Sequence, residues 1–172
     1  MSEVLDKIKS RRSIRKYKPD EVPRELLDRI AEAGIYAASG RNIQSPIVIA
    51  VTDRETRDRL SRANASVMGS DRDPFYGAPA VLIVLADKSC PTHTYDGSLV
   101  MGNMMLAAHE LGLGSCWIHR ARETFEMPEW KEWLKSLGIE GDYEGIGNCI
   151  VGYPDCDLPE PAERRENRVY HV

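Results

Sequence analysis

The 172-residue sequence predicts a single α+β domain over residues 1–172, with a sheet layered with helices. Three observations support this class. The run APAVLIVLA at 78–86 is apolar on both faces, as in a central strand, and is too short to span a bilayer. Other apolar runs have strand length, whereas several segments repeat apolar residues at helical spacing. The two kinds of segment do not alternate strictly, so a regular βαβ architecture is not indicated.

Five segments are predicted to be helices. One has Pro23 near its first turn, and the next has Thr52 and Glu55 at capping-box spacing. Asp96 is expected to cap a fourth segment, which is apolar nearly all round and therefore predicted to be buried. In chain order, the segments are SEVLDKIKS (2–10), VPRELLDRIAEAG (22–34), TDRETRDRLSRAN (52–64), GSLVMGNMMLAAHELG (97–112) and MPEWKEWLKSLG (127–138).

The strands are expected between and after these helices. They are SPIVIAVT (45–52), APAVLIVLA (78–86), GSCWIH (114–119), GIGNCIVGYP (145–154) and the C-terminal ENRVYHV (166–172). Residues 64–77 are mixed and rich in turn formers, so they are predicted to form a surface loop.

Composition excludes several classes of protein. The net charge of −4 argues against nucleic acid as a partner. Charges in the first ten residues interrupt what a secretory signal would need, so the chain is expected to be cytoplasmic, with no membrane partner. The four cysteines lack CxxC spacing and are expected to be reduced. The histidines at 93, 109 and 171 share no spacing that indicates a metal site.

Positive charge is concentrated near the N-terminus, where residues 1–20 carry a local excess of four positive charges. The segment RRSIRKY (11–17) has two interpretations. Its cations could be a solvated helix end that favours the helix dipole. Alternatively, two adjacent guanidiniums and a hydroxyl could clamp a phosphate, with Arg15 reaching another part of the same anionic ligand.

GLGSCW at 112–117 is similar to the first half of a dinucleotide-binding fingerprint but lacks its third glycine. A helix C-cap followed by a closely packed strand is the favoured interpretation.

Four motifs in the same order together resemble the FMN-dependent nitroreductase family. They are RRSIRKY (11–17), ASGRNIQSP (38–46), LAAHELGLGSCWIH (106–119) and LPEPAERRENRVYHV (158–172). The resemblance implies an α+β fold with a mixed, mostly antiparallel sheet, in an intertwined homodimer with FMN at the subunit interface. It also implies hydride transfer from NADH or NADPH, through flavin N5, to nitroaromatic, quinone or related acceptors by a ping-pong mechanism.

The resemblance assigns the basic segment to the flavin. Arg11, Arg12 and Ser13 would bind the FMN phosphate and ribityl end. Arg15 would lie beside N1 and the C2 carbonyl, where a cation stabilises the negative charge of the reduced ring. Arg164 and Arg165 resemble a basic pair that completes the phosphate site. Many relatives have a lysine two positions before Arg164, where this sequence has Ala162.

The remaining cofactor contacts are implied at three places. Ser39, Gly40, Asn42 and Gln44 would reach the flavin from the partner subunit. Asn64 matches an asparagine that hydrogen-bonds the edge of the ring. The backbone of Ile118, His119 and Arg120 would contact the N5 and O4 edge. His119 stands where some relatives have a glutamate, and a backbone contact is favoured over proton donation.

Acceptor selection is assigned to two segments. One is the 64–77 loop, through Phe75 or Tyr76, and the other is 121–133, with Trp130 and Trp133. Aromatic side chains there would suit planar acceptors. Two alternatives to a turnover enzyme of this kind stay open: an FMN-binding storage or sensor protein, and a flavin-consuming or dehalogenating branch of the same superfamily.

Overall fold

A computed structural model describes residues 2–172. Its helices are α1 (Glu3–Ser10), α2 (Arg24–Ile35), α3 (Arg54–Val67), α4 (His93–Glu110), α5 (Ala121–Glu126) and α6 (Pro128–Ser136). Its strands are β1 (Pro46–Val51), β2 (Ala80–Asp87), β3 (Gly114–Ile118) and β4 (Tyr143–Gly152). Within residues 2–172 there is no helix long and apolar enough to cross a membrane.

The strands form one sheet in the order β1-β2-β4-β3, and each neighbouring pair is antiparallel. The parallel component is an isolated bridge between Ser13 and Ser115 at the β3 edge. The prediction of an α+β fold with a mostly antiparallel sheet is therefore confirmed.

Strand β2 divides the core into two layers. Its residues Leu82 and Val84 pack with α2 and α4 on one face. Its residues Val81 and Ile83 pack with α3, α5 and α6 on the other. All four side chains are fully buried, which confirms the central strand that the apolar run 78–86 predicted. The result is a helix–sheet–helix sandwich. Strands β1 and β3 form the edges of its sheet, and residue Ser13 pairs at the β3 edge.

Three local predictions are wrong. Helix α3 is capped by Asp53, whose carboxylate accepts a hydrogen bond from Thr56 N at 2.8 Å, so Thr52 and Glu55 do not form the capping box. Asp96 is not a cap, because α4 begins three residues earlier and Asp96 is buried in its first turn. Residues 64–67 belong to α3, so the loop begins only after Val67.

The prediction of a C-terminal strand is also wrong within the described residues. Residues 155–172 are exposed and form no strand, and Val169 and Tyr170 are 76% and 79% exposed. The sequence predicted a short terminal strand, but a strand requires a sheet edge with which to pair its backbone groups. No such edge of this chain receives the tail within residues 2–172.

Helix α4 is only partly buried, which corrects the prediction of a helix buried all round. Met101 and Met104 are fully buried, whereas Tyr95 and Leu99 are 73% and 51% exposed. Its outward side therefore adds to the exposed apolar residues of α1, which include Val4.

Candidate functional site

The basic segment lies along the β3 edge of the sheet. Ile14 N donates to Ser115 O at 3.0 Å, and the Ile14 side chain is buried against Gly114. Because side chains alternate in extended backbone, this inward Ile14 leaves Ser13 and Arg15 on the opposite side. A methyl group at Gly114 would overlap the Ile14 side chain, so GLGSCW supports close packing, as favoured from the sequence.

Arg11 and Arg12 are adjacent but have different surroundings. Arg11 Nη1 is buried, and within residues 2–172 it has no hydrogen-bond partner. Arg12 donates to the carbonyls of Pro159 (3.0 Å), Lys9 (2.7 Å) and Arg11 (2.7 Å), so it fixes the start of the tail. A buried guanidinium donor without an acceptor is costly. Arg11 therefore has the donor best suited to an added anion.

His109 extends this basic region from the last turn of α4. Its Nε2 lies 2.8 Å from Ser10 Oγ. Burial lowers the pKa of His109, and the nearby cations Lys7, Arg11 and Arg12 lower it further, against a smaller opposing effect of Glu110. The region thus disfavours a further positive charge in the free chain.

We expect acid to destabilise the fold in part through His109. Its pKa in the fold lies below its ordinary value, so the unfolded chain binds more protons between the folded pKa and about 6.5. The free energy of unfolding should therefore decrease as the pH falls through that window. Urea unfolding at several pH values should show a smaller decrease for His109→Gln. An NMR titration midpoint for His109 at or above about 6.5 would contradict this prediction.

The turn at residues 39–44 has an unusual backbone. Arg41, Asn42 and Gln44 have φ of 53°, 57° and 57°, a conformation that is unfavourable for residues other than glycine. Ser39 Oγ accepts from Gln44 N at 3.1 Å, and Gln44 Nε2 donates to Asn42 Oδ1 at 2.9 Å. Strain of this kind is concentrated at functional sites.

A cleft of about 500 Å³ adjoins this turn. Its lining includes Ser39, Asn42 and Gln44 together with Tyr36 and Asp96. The structure therefore brings together three of the four residues predicted from ASGRNIQSP at one concave surface.

Asn64 lies beneath the turn that follows β3. Its side chain is fully buried on α3, and its Nδ2 donates to His119 O at 2.7 Å. Arg120 follows with φ of 77° and forms an ion pair with Glu123 at 2.8 Å. The structure thus places Asn64 against His119, with Asn64 supporting the backbone of the turn, and their contacts with the flavin stay a prediction. Ile118 is buried in the core at the end of β3.

Arg164 and Arg165 lie in the exposed tail. Within residues 2–172 neither side chain forms a hydrogen bond or an ion pair. The single chain therefore does not join them to Arg11, and their role at a phosphate stays a prediction.

The aromatic residues predicted to select the acceptor differ in position. Phe75 and Trp130 are fully buried and belong to the core, which removes them as surface contacts of this chain. Trp133 packs edge-on against Trp130. Tyr76 is 45% exposed, with φ of 53°, and its ring centroid lies 6.0 Å from the guanidinium carbon of Arg15. Tyr76 is therefore the aromatic candidate of the loop.

Sequence reasoning did not assign three residues that shape the surroundings of the candidate site: His109, Asp73 and Asp96. Each acts through contacts between distant parts of the chain, such as His109 with Ser10 and Asp96 with Gly40. A local motif gave no signal for them. These long-range contacts, and the burial of Asp96, are visible only after folding.

These features define an α+β protein with a basic segment fixed to the sheet edge and a strained turn beside a cleft. The chain belongs to the nitroreductase family, whose model matches residues 8–80 and 68–153.

Similar proteins agree with that family. A nitroreductase from Bacteroides fragilis, solved with FMN bound, is 30% identical and covers all of both chains with a TM-score of 0.90. A protein of Methanothermobacter thermautotrophicus, provisionally named NADH dehydrogenase/NAD(P)H nitroreductase, is 34% identical over 74% of this chain and 71% of its own. An iodotyrosine deiodinase from Thermotoga neapolitana is 26% identical over 93% of each chain.

Proposed function

We propose that this protein is an NAD(P)H-dependent flavin oxidoreductase that uses FMN. The observation that carries the proposal is the buried, unpartnered donor of Arg11 within a basic segment fixed to the sheet. A dianionic phosphate supplies the acceptor oxygens that this donor lacks. The FMN bound in the Bacteroides fragilis structure and the NAD(P)H in the name of the Methanothermobacter relative support the choice of cofactor and hydride donor.

The residues present fit FMN in distinct ways. Arg11 and Arg12 would hold the phosphate, with Ser13 at the ribityl end and Arg15 beside the pyrimidine side of the ring. His119 and its neighbours would present backbone groups to the opposite edge, supported from below by Asn64. These groups bind and orient the flavin, and the cation at Arg15 favours the reduced, more negative ring.

FMN, when bound, supplies the hydride chemistry at its N5 atom. The chain would not need a nucleophile, and its own contribution is to bind, to orient and to exclude water. NAD(P)H and a nitroaromatic, quinone or related acceptor would use the same face in turn, as the ping-pong expectation requires. Tyr76 would contribute an aromatic surface beside that face.

A homodimer belongs to the same proposal. Exposed apolar side chains on α1 and α4, including Leu5, Ile8 and Leu99, offer a surface that a second copy could cover. The 39–44 turn of one subunit would then reach the flavin of the other. Light scattering that gives a monomer at micromolar concentration would count against this arrangement.

A dehalogenating activity is the second candidate, since the Thermotoga neapolitana deiodinase matches nearly the whole chain. It would use the same flavin site with a different acceptor. Analysis of products from nitroarenes, quinones and halogenated phenols would distinguish the two activities.

The visible spectrum of the purified protein tests the cofactor first. We expect a yellow protein that releases FMN at about one per chain, as preformed sites would require. Bleaching by NADH or NADPH, followed by recovery on addition of a quinone, tests turnover. A flavoprotein that neither donor reduces would instead support storage or sensing. A colourless protein that FMN does not stabilise would contradict the proposal.

A further inference from the structure

Asp96 connects helix α4 to the strained 39–44 turn. Its Oδ1 accepts a hydrogen bond from Gly40 N at 3.0 Å, and its Oδ2 accepts one from Thr92 Oγ1 at 2.8 Å. The residue is only 3% exposed. A carboxylate buried to this extent requires hydrogen-bond donors, and its position in the first turn of a helix also favours negative charge. Cys90 Sγ makes a longer contact with Oδ2 at 3.8 Å, so Gly40 N is the donor to Oδ1 and the one that reaches the carboxylate from the turn.

The approach between the turn and α4 is close enough to require glycine. A methyl group at Gly40 would overlap the side chain of Thr92. The same Thr92 donates to Asp96, so the turn, the hydroxyl and the carboxylate form one packed unit. This unit fixes the start of the turn against the helix.

The rest of the turn needs such an anchor. Arg41, Asn42 and Gln44 all have positive φ, and residues held in this region cost on the order of 1–3 kcal/mol each. The internal bonds that Gln44 donates to Ser39 and Asn42 close the turn but do not connect it to the core. Among the described side-chain bonds, the one from Gly40 to Asp96 makes that connection.

We propose that Asp96 is a positioning residue for the cofactor. It holds the 39–44 turn in the conformation in which Ser39, Asn42 and Gln44 contact FMN across the subunit interface. The inference rests on the proposed function, because the turn needs a flavin to bind. The contact of Asp96 that carries the inference is its hydrogen bond to the turn.

Asp96→Ala and Asp96→Asn distinguish positioning from a general loss of stability. The alanine variant leaves Gly40 N without its acceptor, and we expect its dissociation constant for FMN to rise about tenfold, as the loss of one such bond would give. The asparagine variant keeps an oxygen for Gly40 N, so its affinity should stay within about threefold of the wild type. Amide hydrogen exchange of residues 40–44 should accelerate in the alanine variant and not in the asparagine variant.

Gly40→Ala disturbs the contact between the turn and Asp96 by a change in the turn itself. It should also weaken FMN binding about tenfold, because the added methyl forces the turn away from Thr92. If Asp96→Ala fails to fold, faster amide hydrogen exchange of residues 41–44 in Gly40→Ala supports the anchoring, and unchanged exchange overturns it.

Asp53→Ala is the matched control, since it removes a carboxylate bond to a backbone amide at the start of α3, away from the turn. It should lower the melting temperature without changing FMN affinity. Equal affinity loss in Asp53→Ala and Asp96→Ala, or in both Asp96 variants, would overturn the inference, as would wild-type affinity in Asp96→Ala. If the wild type itself binds no FMN, the proposed function fails and the cofactor role of Asp96 fails with it.

Discussion

Replacing Arg11 with alanine should raise the dissociation constant for FMN by one to two orders of magnitude. Hydrogen bonds to charged groups are worth about 1.5–3 kcal/mol, which corresponds to this range. Arg11 Nη1 is buried and has no partner within residues 2–172, so a phosphate gains a donor that is already desolvated. Isothermal titration of the flavin-free protein with FMN measures the effect.

Riboflavin provides the internal control, since it lacks the phosphate. Its affinity should hardly change in Arg11→Ala. The variant should also unfold at the same or a slightly higher temperature without flavin, because a buried unpaired donor has been removed. Arg54→Ala, which loses only an exposed ion pair on α3, should bind FMN normally. Equal weakening of FMN and riboflavin would place Arg11 away from the phosphate.

Much of the fold could be predicted from local patterns. Strand β2 is apolar on both faces, and this property directly indicated its central, doubly buried position. Helix α6 begins at Pro128 and Gly138 follows it with φ of 77°, so both ends had local signals. The short helix α5 was missed, because its six residues offer too little periodicity to separate it from the loop before Pro128.

The predictions that failed depended on partners that a local pattern does not contain. The segment ENRVYHV was predicted to be a short strand, but only the presence of a sheet edge determines whether it pairs. Asp96 precedes an apolar run as a cap would. Its buried position depends instead on Gly40, 56 residues earlier in the chain.

The candidate site was predicted more fully in its residue types than in its geometry. RRSIRKY was compatible with an anion clamp or a solvated helix end. The sequence did not distinguish Arg11, whose Nη1 has no partner within residues 2–172, from Arg12, which is bound to three carbonyls. Asn64 was expected beside the flavin ring, and the structure shows that it supports the His119 carbonyl. Both distinctions arise from tertiary contacts.

Asp73 is the carboxylate that organises the loop carrying Tyr76. It accepts hydrogen bonds from Arg57 Nη2 (2.7 Å), Ser61 Oγ (2.5 Å), Phe75 N (2.9 Å) and Gly77 N (2.7 Å). Burial alone would raise the pKa of Asp73, but these bonds together hold it below its usual value. The loop therefore depends on the ionised carboxylate.

Asp73→Ala should lower the free energy of unfolding by about 3 kcal/mol, because it removes one partner of the buried Arg57 and leaves Arg57 Nη2 unpaired. Chemical denaturation at pH 7 measures this change. Asp58→Ala is the matched control. It removes the other carboxylate bound to Arg57, through a single contact at 2.9 Å, and should cost clearly less.

The same substitution connects stability to acceptor selection. The stabilisation from Asp73 is present above the unfolded pKa of about 4 and is lost as the pH falls through the lower folded value, so Asp73→Ala should lose less stability in acid. It should also release Tyr76 from its place beside Arg15, a contact worth about 0.5–1 kcal/mol at exposed sites. We therefore expect KM for planar aromatic acceptors to rise while FMN affinity is kept. If Asp73→Ala is less stable but has an unchanged KM, Tyr76 does not take part in acceptor binding. Asp73 would then have a purely structural role.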